Sequence, residues 1–178
     1  MTEQETEAER QWDGKVLALL EARIAQSGYF RSEKIPELMA KIRATTVPFG
    51  RNDTRAAFGR EPFLTAQEKK ALGLNPRMKY SKEFIGYLEP SFLRSIEPKS
   101  ALENMHLDAF HRVSREKELR QIREVGFRKI EILTCCDARD CESIKRLKKI
   151  YAIDDVPELP LPDCDAPYCR CMYISADH

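Results

Sequence analysis

The cysteines constrain this chain more than any other feature. All six, Cys135, Cys136, Cys141, Cys164, Cys169 and Cys171, fall in its last third, and the first 134 residues contain none. About forty residues bury too little apolar surface to fold on a hydrophobic core alone, so natural units of that size lean on a metal ion or on cross-links. The clustering predicts a small stapled module at the C-terminal end. Compartment and ligand chemistry decide what the staple is.

The N-terminal run MTEQETEAERQWDGK is acidic and lacks the apolar stretch of a secretory signal. No apolar run approaches the roughly 18 residues that a membrane span needs. A cytoplasmic location without membrane association is the expectation, and there thiols stay reduced and clustered cysteines more often hold metal than pair with each other. Three disulfides are the reading for an exported chain. The 30 basic and 29 acidic residues nearly cancel, so bulk electrostatics selects neither nucleic acid nor membrane.

Within the module, Cys136 and Cys141 are separated by four residues, as are Cys164 and Cys169, and Cys171 follows at two. Two close groups some twenty residues apart form the framework of a tetrahedral thiolate site, each group on a turn. Soft ligands without redox demand favour structural Zn2+; reduced structural cysteines and an iron–sulfur cluster are the alternatives. The spacing departs from paired C-x-x-C knuckles, since Ile144 stands where a second knuckle cysteine would fall. Six thiols for four positions leave the ligand set open among Cys136, Cys141, Cys164, Cys169 and Cys171. The first-ranked set is Cys141, Cys164, Cys169 and Cys171, with Cys136 as the substitute, while Cys135 is expected as a buried thiol outside the site. Arg170, between Cys169 and Cys171, is expected to point away from the metal as an exposed cation.

The fold class read from the periodicities is α+β, mostly α: a helical domain over 1–126 followed by a three-stranded zinc-binding β module over 127–178. Trp12, Val16, Leu19, Leu20 and Ile24 recur at helical spacing, which predicts an amphipathic helix from Glu5 to Ala25 with Gly28 as its stop. A second helix is expected over 36–44, burying Leu38, Met39 and Ile42. Thr65 and Glu68 form a capping box for a helix from Ala66 to Leu72, and Ser81 can cap another. Ser100 and Glu103 read as a further capping box, opening a helix to about Val125 whose apolar stripe slips in phase at Leu119 and Ile122. In the module, strands are expected over 127–134, 151–153 and 172–174, with a helix over 138–149 and the PELPLP run lying extended.

Residues 46–63 show no periodicity and read as a long loop. Arg51, Arg55 and Arg60, interleaved with Phe49, Phe58 and Phe63, would suit phosphate contact and base stacking. So would Arg77, Lys79 and Lys82 beside Tyr80 and Phe84, and the lysines of 145–149. A solvated connector and snorkelling lysines explain the same composition. His106 and His111 stand five apart on one helix, which does not place them on a shared face. His106 is expected in the core, and His178 is terminal. Asp154, Asp155 and Glu158 are the acidic residues that a metal-dependent nuclease would have to use, but no catalytic motif surrounds them.

Asp137-Ala138-Arg139-Asp140-Cys141, the hydrophobic and lysine-bearing stretch to Ile153, the prolines from Pro157 to Pro162 and Cys169-Arg170-Cys171 together resemble the C-terminal tail of the phage head-morphogenesis family, the Mu F type of minor head protein. The resemblance covers about forty residues. It implies a zinc-stabilised domain and, beyond that, a role in assembly. Departures are Ile144 at the second knuckle position and Cys164 where a histidine is common.

A closed all-cysteine site leaves no coordination position for substrate, so the chain reads as a non-enzymatic, zinc-stabilised binding or assembly protein with a protein partner. A nucleic-acid-binding protein is the first alternative and a metal-dependent nuclease the second.

Overall fold

The computed structural model describes residues 3–45, 61–135 and 140–176, with the side chains of 3–6, 8 and 9 excepted. Cys136, Asp137, Arg139, His178 and the candidate phosphate contacts Arg51, Arg55 and Arg60 lie outside the described residues. The chain divides into two compact units, Met1–His106 and Leu107–His178.

In the first unit, α1 runs from Glu3 to Ser27. Val16, Leu20 and Ile24 are buried at four-residue steps, whereas Leu19 lies off that line and is 37% exposed. Gly28, at φ 67°, takes the left-handed turn that ends the helix. The second helix, α2 (Ile35–Ala44), carries Pro36 in its first turn, where no intrahelical N–H is lost, and buries Ile35, Leu38, Met39 and Ile42. It packs against α1.

The Thr65–Glu68 capping box forms as expected and opens α3 (Ala66–Leu72), which Gly73 closes at φ 73°. Ser81 accepts from the Phe84 N–H at the head of α4 (Lys82–Gly86). Between them Tyr80 is fully buried.

The long helix α5 spans Pro98–Val125, one turn earlier than the Ser100–Glu103 pattern suggested. Its cap is the preceding residue: the Glu97 carboxylate accepts the Ser100 N–H at 2.6 Å and the Tyr80 hydroxyl at 2.8 Å. Pro98 fits the first turn because its fixed φ is helical and its missing N–H is not needed there. Ser100 therefore lies inside the helix. Gly126, at φ 89°, terminates it.

In the second unit, α5 continues unbroken, and Leu119 and Ile122 pack against the core beneath a small sheet. The sheet is antiparallel, ordered β2-β1-β3, from β1 (Lys129–Leu133), β2 (Ile150–Ala152) and β3 (Met172–Ser175). Ile130 opposes Tyr151, and Ile132 opposes Tyr173. The period of two turns Ile130, Ile132 and Tyr173 onto the buried face. The helix expected over 138–149 is a single turn, α6 (Glu142–Lys145), because the chain must straighten by Ile150 to pair with β1.

Tyr173 holds the proline-rich run. Its hydroxyl donates to the Pro157 carbonyl at 2.7 Å and accepts the Leu159 N–H at 2.9 Å. Fold class is thus α+β, mostly α, with a three-stranded sheet. Among the described residues, no helix is long and apolar enough to cross a membrane.

Candidate metal centre

Three local devices bring the thiols together. Cys141 occupies the N-cap position of α6 in extended conformation, which turns its side chain off the helix axis. Cys164 ends a tight turn closed by its N–H on the Leu161 carbonyl at 3.0 Å. Cys169 and Cys171 stand on the segment that leads directly into β3. Cys141, Cys169 and Cys171 are buried and Cys164 is half-buried against the same core. Hydrogen bonds link Cys164 to Cys141 and to Cys169, and Cys169 to Cys171.

Polar ties across the turns hold this arrangement. Arg170 donates from Nη2 to Asp140 Oδ1 at 3.2 Å, joining the residue before Cys141 to the residue between Cys169 and Cys171. The Ser143 hydroxyl donates to Asp163 at 2.5 Å, joining α6 to the residue before Cys164. Tyr168 stacks on His111 of α5 with ring centroids 5.7 Å apart.

Arg115, also on α5 and only 2% exposed, reaches the same loop. Its Nη1 donates to the carbonyl oxygens of Cys169 and Cys171 at 3.1 and 3.2 Å. Among the described residues its Nε and Nη2, both buried, have no hydrogen-bond partner, and neither has Glu118 Oε2 on the same helix, whose carboxyl burial pushes up.

The thiols are electrostatically unequal. Cys169 is held down at about 6, first by the hydrogen bond from Cys171 against the opposing effect of burial, with Arg115 adding to the lowering. Burial pushes Cys164 up to about 11. The bond to Cys169, and then burial, raises Cys171 as well. One thiolate is thus favoured, and its neighbours donate to it.

As arranged, the described residues contain no group of three or more His, Cys, Asp or Glu side chains positioned to hold a metal ion. What they contain is a hydrogen-bonded thiol cluster with a buried cation beside it. The donor set fits a soft, thiophilic ion. The Arg115 nitrogens without hydrogen bonds fit it too: a desolvated guanidinium can balance more negative charge than the Cys169 thiolate alone brings, and metal-bound thiolates would supply it.

Other expectations are corrected here. Cys135 is exposed rather than buried, because the chain has left the sheet after Leu133. Arg170 is not an exposed cation; its side chain is 14% exposed and paired to Asp140. Tyr80 and Phe84 are buried in the first unit and offer no stacking surface. Among the cations beside them, Lys79 lies 5.8 Å from the Phe63 ring and Lys82 pairs with Glu68 at 2.6 Å, while Arg77 is exposed. His106 is buried, as expected, and Asp154, Asp155 and Glu158 are exposed beyond β2.

The residue that sequence reasoning missed is Arg115. It stands four before Leu119 and seven before Ile122, so the slipped stripe itself turns it inward. No family model, curated protein or solved structure matches this chain.

Proposed function

We propose that Leu107–His178 is a structural zinc module, and that the protein is a non-enzymatic binding or assembly protein that this module stabilises. The observation that carries the reading is the half-satisfied, buried Arg115 set against four clustered thiols, Cys141, Cys164, Cys169 and Cys171. An ion drawing the protons off these sulfurs would leave a net negative centre, and Arg115 stands beside it as counter-charge. Four thiolates would fill the coordination of such an ion and leave no position for substrate or water, so the centre would serve shape rather than turnover. Zinc binding supplies roughly 10–16 kcal/mol in small zinc peptides, comparable with the whole stability of a domain. The resemblance of this segment to phage head-morphogenesis tails points to an assembly role.

The test is metal analysis of protein purified without added metal, alongside single cysteine-to-serine variants. About one zinc per chain is expected, retained in Cys135→Ser and Cys136→Ser and lost in Cys141→Ser, Cys164→Ser, Cys169→Ser and Cys171→Ser. Metal-free protein with unchanged unfolding behaviour, or cystines among these four, would overturn the reading.

A further inference from the structure

Beside the thiol cluster, but formed by different side chains, lies an open cleft of about 300 Å³. Ile132, Ile144 and Leu147 form its apolar floor, and Lys145, Lys148 and Lys149 line it with Thr134 and Asp140. The carboxylate of Asp140 is engaged by Arg170. Lys145 pairs with Glu142 at the surface, a contact that solvent screening makes easy to exchange. Lys148 and Lys149 are exposed and have no ion-pair partner among the described residues. The cleft therefore combines an aliphatic floor with uncompensated positive charge.

We propose that this cleft is a docking site for an acidic peptide segment of a partner protein, anchored by one aliphatic side chain between carboxylates. The proposal rests on the binding role argued above and names the partner's chemistry. The volume is at the lower end for ligand sites and suits one or two side chains rather than a cofactor. No aromatic residue lines it, so it lacks the stacking platform by which single-stranded nucleic acid is held.

The probe is a fluorescein-labelled octapeptide of Asp and Glu with one central Leu, titrated with full-length protein and followed by anisotropy. Its zinc content is measured on the same sample. Saturable binding is expected that weakens at least tenfold in the double variant Lys148→Glu/Lys149→Glu, at least fivefold when the probe Leu becomes Ala, and further as salt is raised. Both lysines are exposed, and unchanged circular dichroism of the variant shows that its fold is intact. Binding that the double variant leaves unaltered, no binding by zinc-loaded protein, or tighter binding of a labelled oligothymidylate would each overturn the proposal. Zinc-loaded protein that ignores the probe ends this inference and leaves the zinc reading standing. Metal-free, folded protein that binds the probe through Lys148 and Lys149 does the reverse.

Discussion

Arg115 donates from one nitrogen, Nη1, to the carbonyl oxygens of both Cys169 and Cys171, at 3.1 and 3.2 Å. A helix thereby fixes the backbone on either side of Arg170 and places a permanent cation next to the cluster's most acidic thiol. The planar fork cannot be reproduced by an ammonium group, although the charge can. On zinc-loaded protein, Arg115→Met should weaken zinc binding, measured by equilibrium competition with a chelator, by about 10- to 100-fold, the usual penalty for losing an outer-shell partner. Arg115→Lys should recover part of that loss. Equal affinities in all three proteins would remove Arg115 from any role at the centre.

Tyr173→Phe tests how the proline-rich run is held. The hydroxyl both donates to Pro157 and accepts from Leu159, so its removal strands a part-buried carbonyl and a buried N–H at once. Leaving such groups unpaired costs about 1–3 kcal/mol each, less where water reaches them. Urea unfolding should show a loss of about 2–3 kcal/mol. A loss below about 0.5 kcal/mol would mean that the run is held by apolar contact alone.

Much of this arrangement is legible in the sequence, and the failures have physical causes. Local signals read well because they act over a few residues: Thr65 and Glu68 cap α3 as their spacing requires, and Gly73 and Gly126 end helices in the left-handed region. The start of α5 misleads because Ser100 and Glu103 satisfy the same pattern three residues inside the helix, while Glu97 takes the capping bond. The convergence of Cys141, Cys164, Cys169 and Cys171 could be ranked from spacing, but Arg115 could not be assigned to it. Its contacts lie 54 and 56 residues away, and inward arginines on amphipathic helices usually snorkel to water. Arg170 differs from expectation for the converse reason: its partner, Asp140, is thirty residues away in the sequence, and the pairing keeps the guanidinium from solvent.

Glu97 joins two elements of the first unit through its two carboxylate oxygens, one on the Ser100 N–H and one on the Tyr80 hydroxyl. Burial works against its charge, but the bonds from Ser100 and Tyr80 prevail and hold it below the usual carboxylate range. Glu97→Ala should therefore cost more than an ordinary cap, about 2–3 kcal/mol, since the Tyr80 hydroxyl loses its partner as well. Glu97→Gln keeps an acceptor oxygen and should cost about half as much. Denaturant titration of the two variants checks the order, and equal losses would contradict the capping role.

His106 gives the first unit a pH dependence whose sign can be worked out. Its ring is 3% exposed, and burial lowers its affinity for a proton below the usual 6.5, with Glu103 opposing. The unfolded chain, whose histidine titrates near 6.5, therefore binds the proton more tightly than the folded one. Stability from this site is fully present above about 6.5 and falls as the solution is acidified through that value, by at most about 1.4 kcal/mol per pH unit. His106→Gln removes the titration, so the stability difference between wild type and variant should shrink, or reverse sign, from pH 7.5 to pH 5.5. Trp12, the single tryptophan of the chain, follows this unit's unfolding by fluorescence. A difference that stays constant over that range, or grows in favour of the wild type, would mean that the folded protein holds His106 charged.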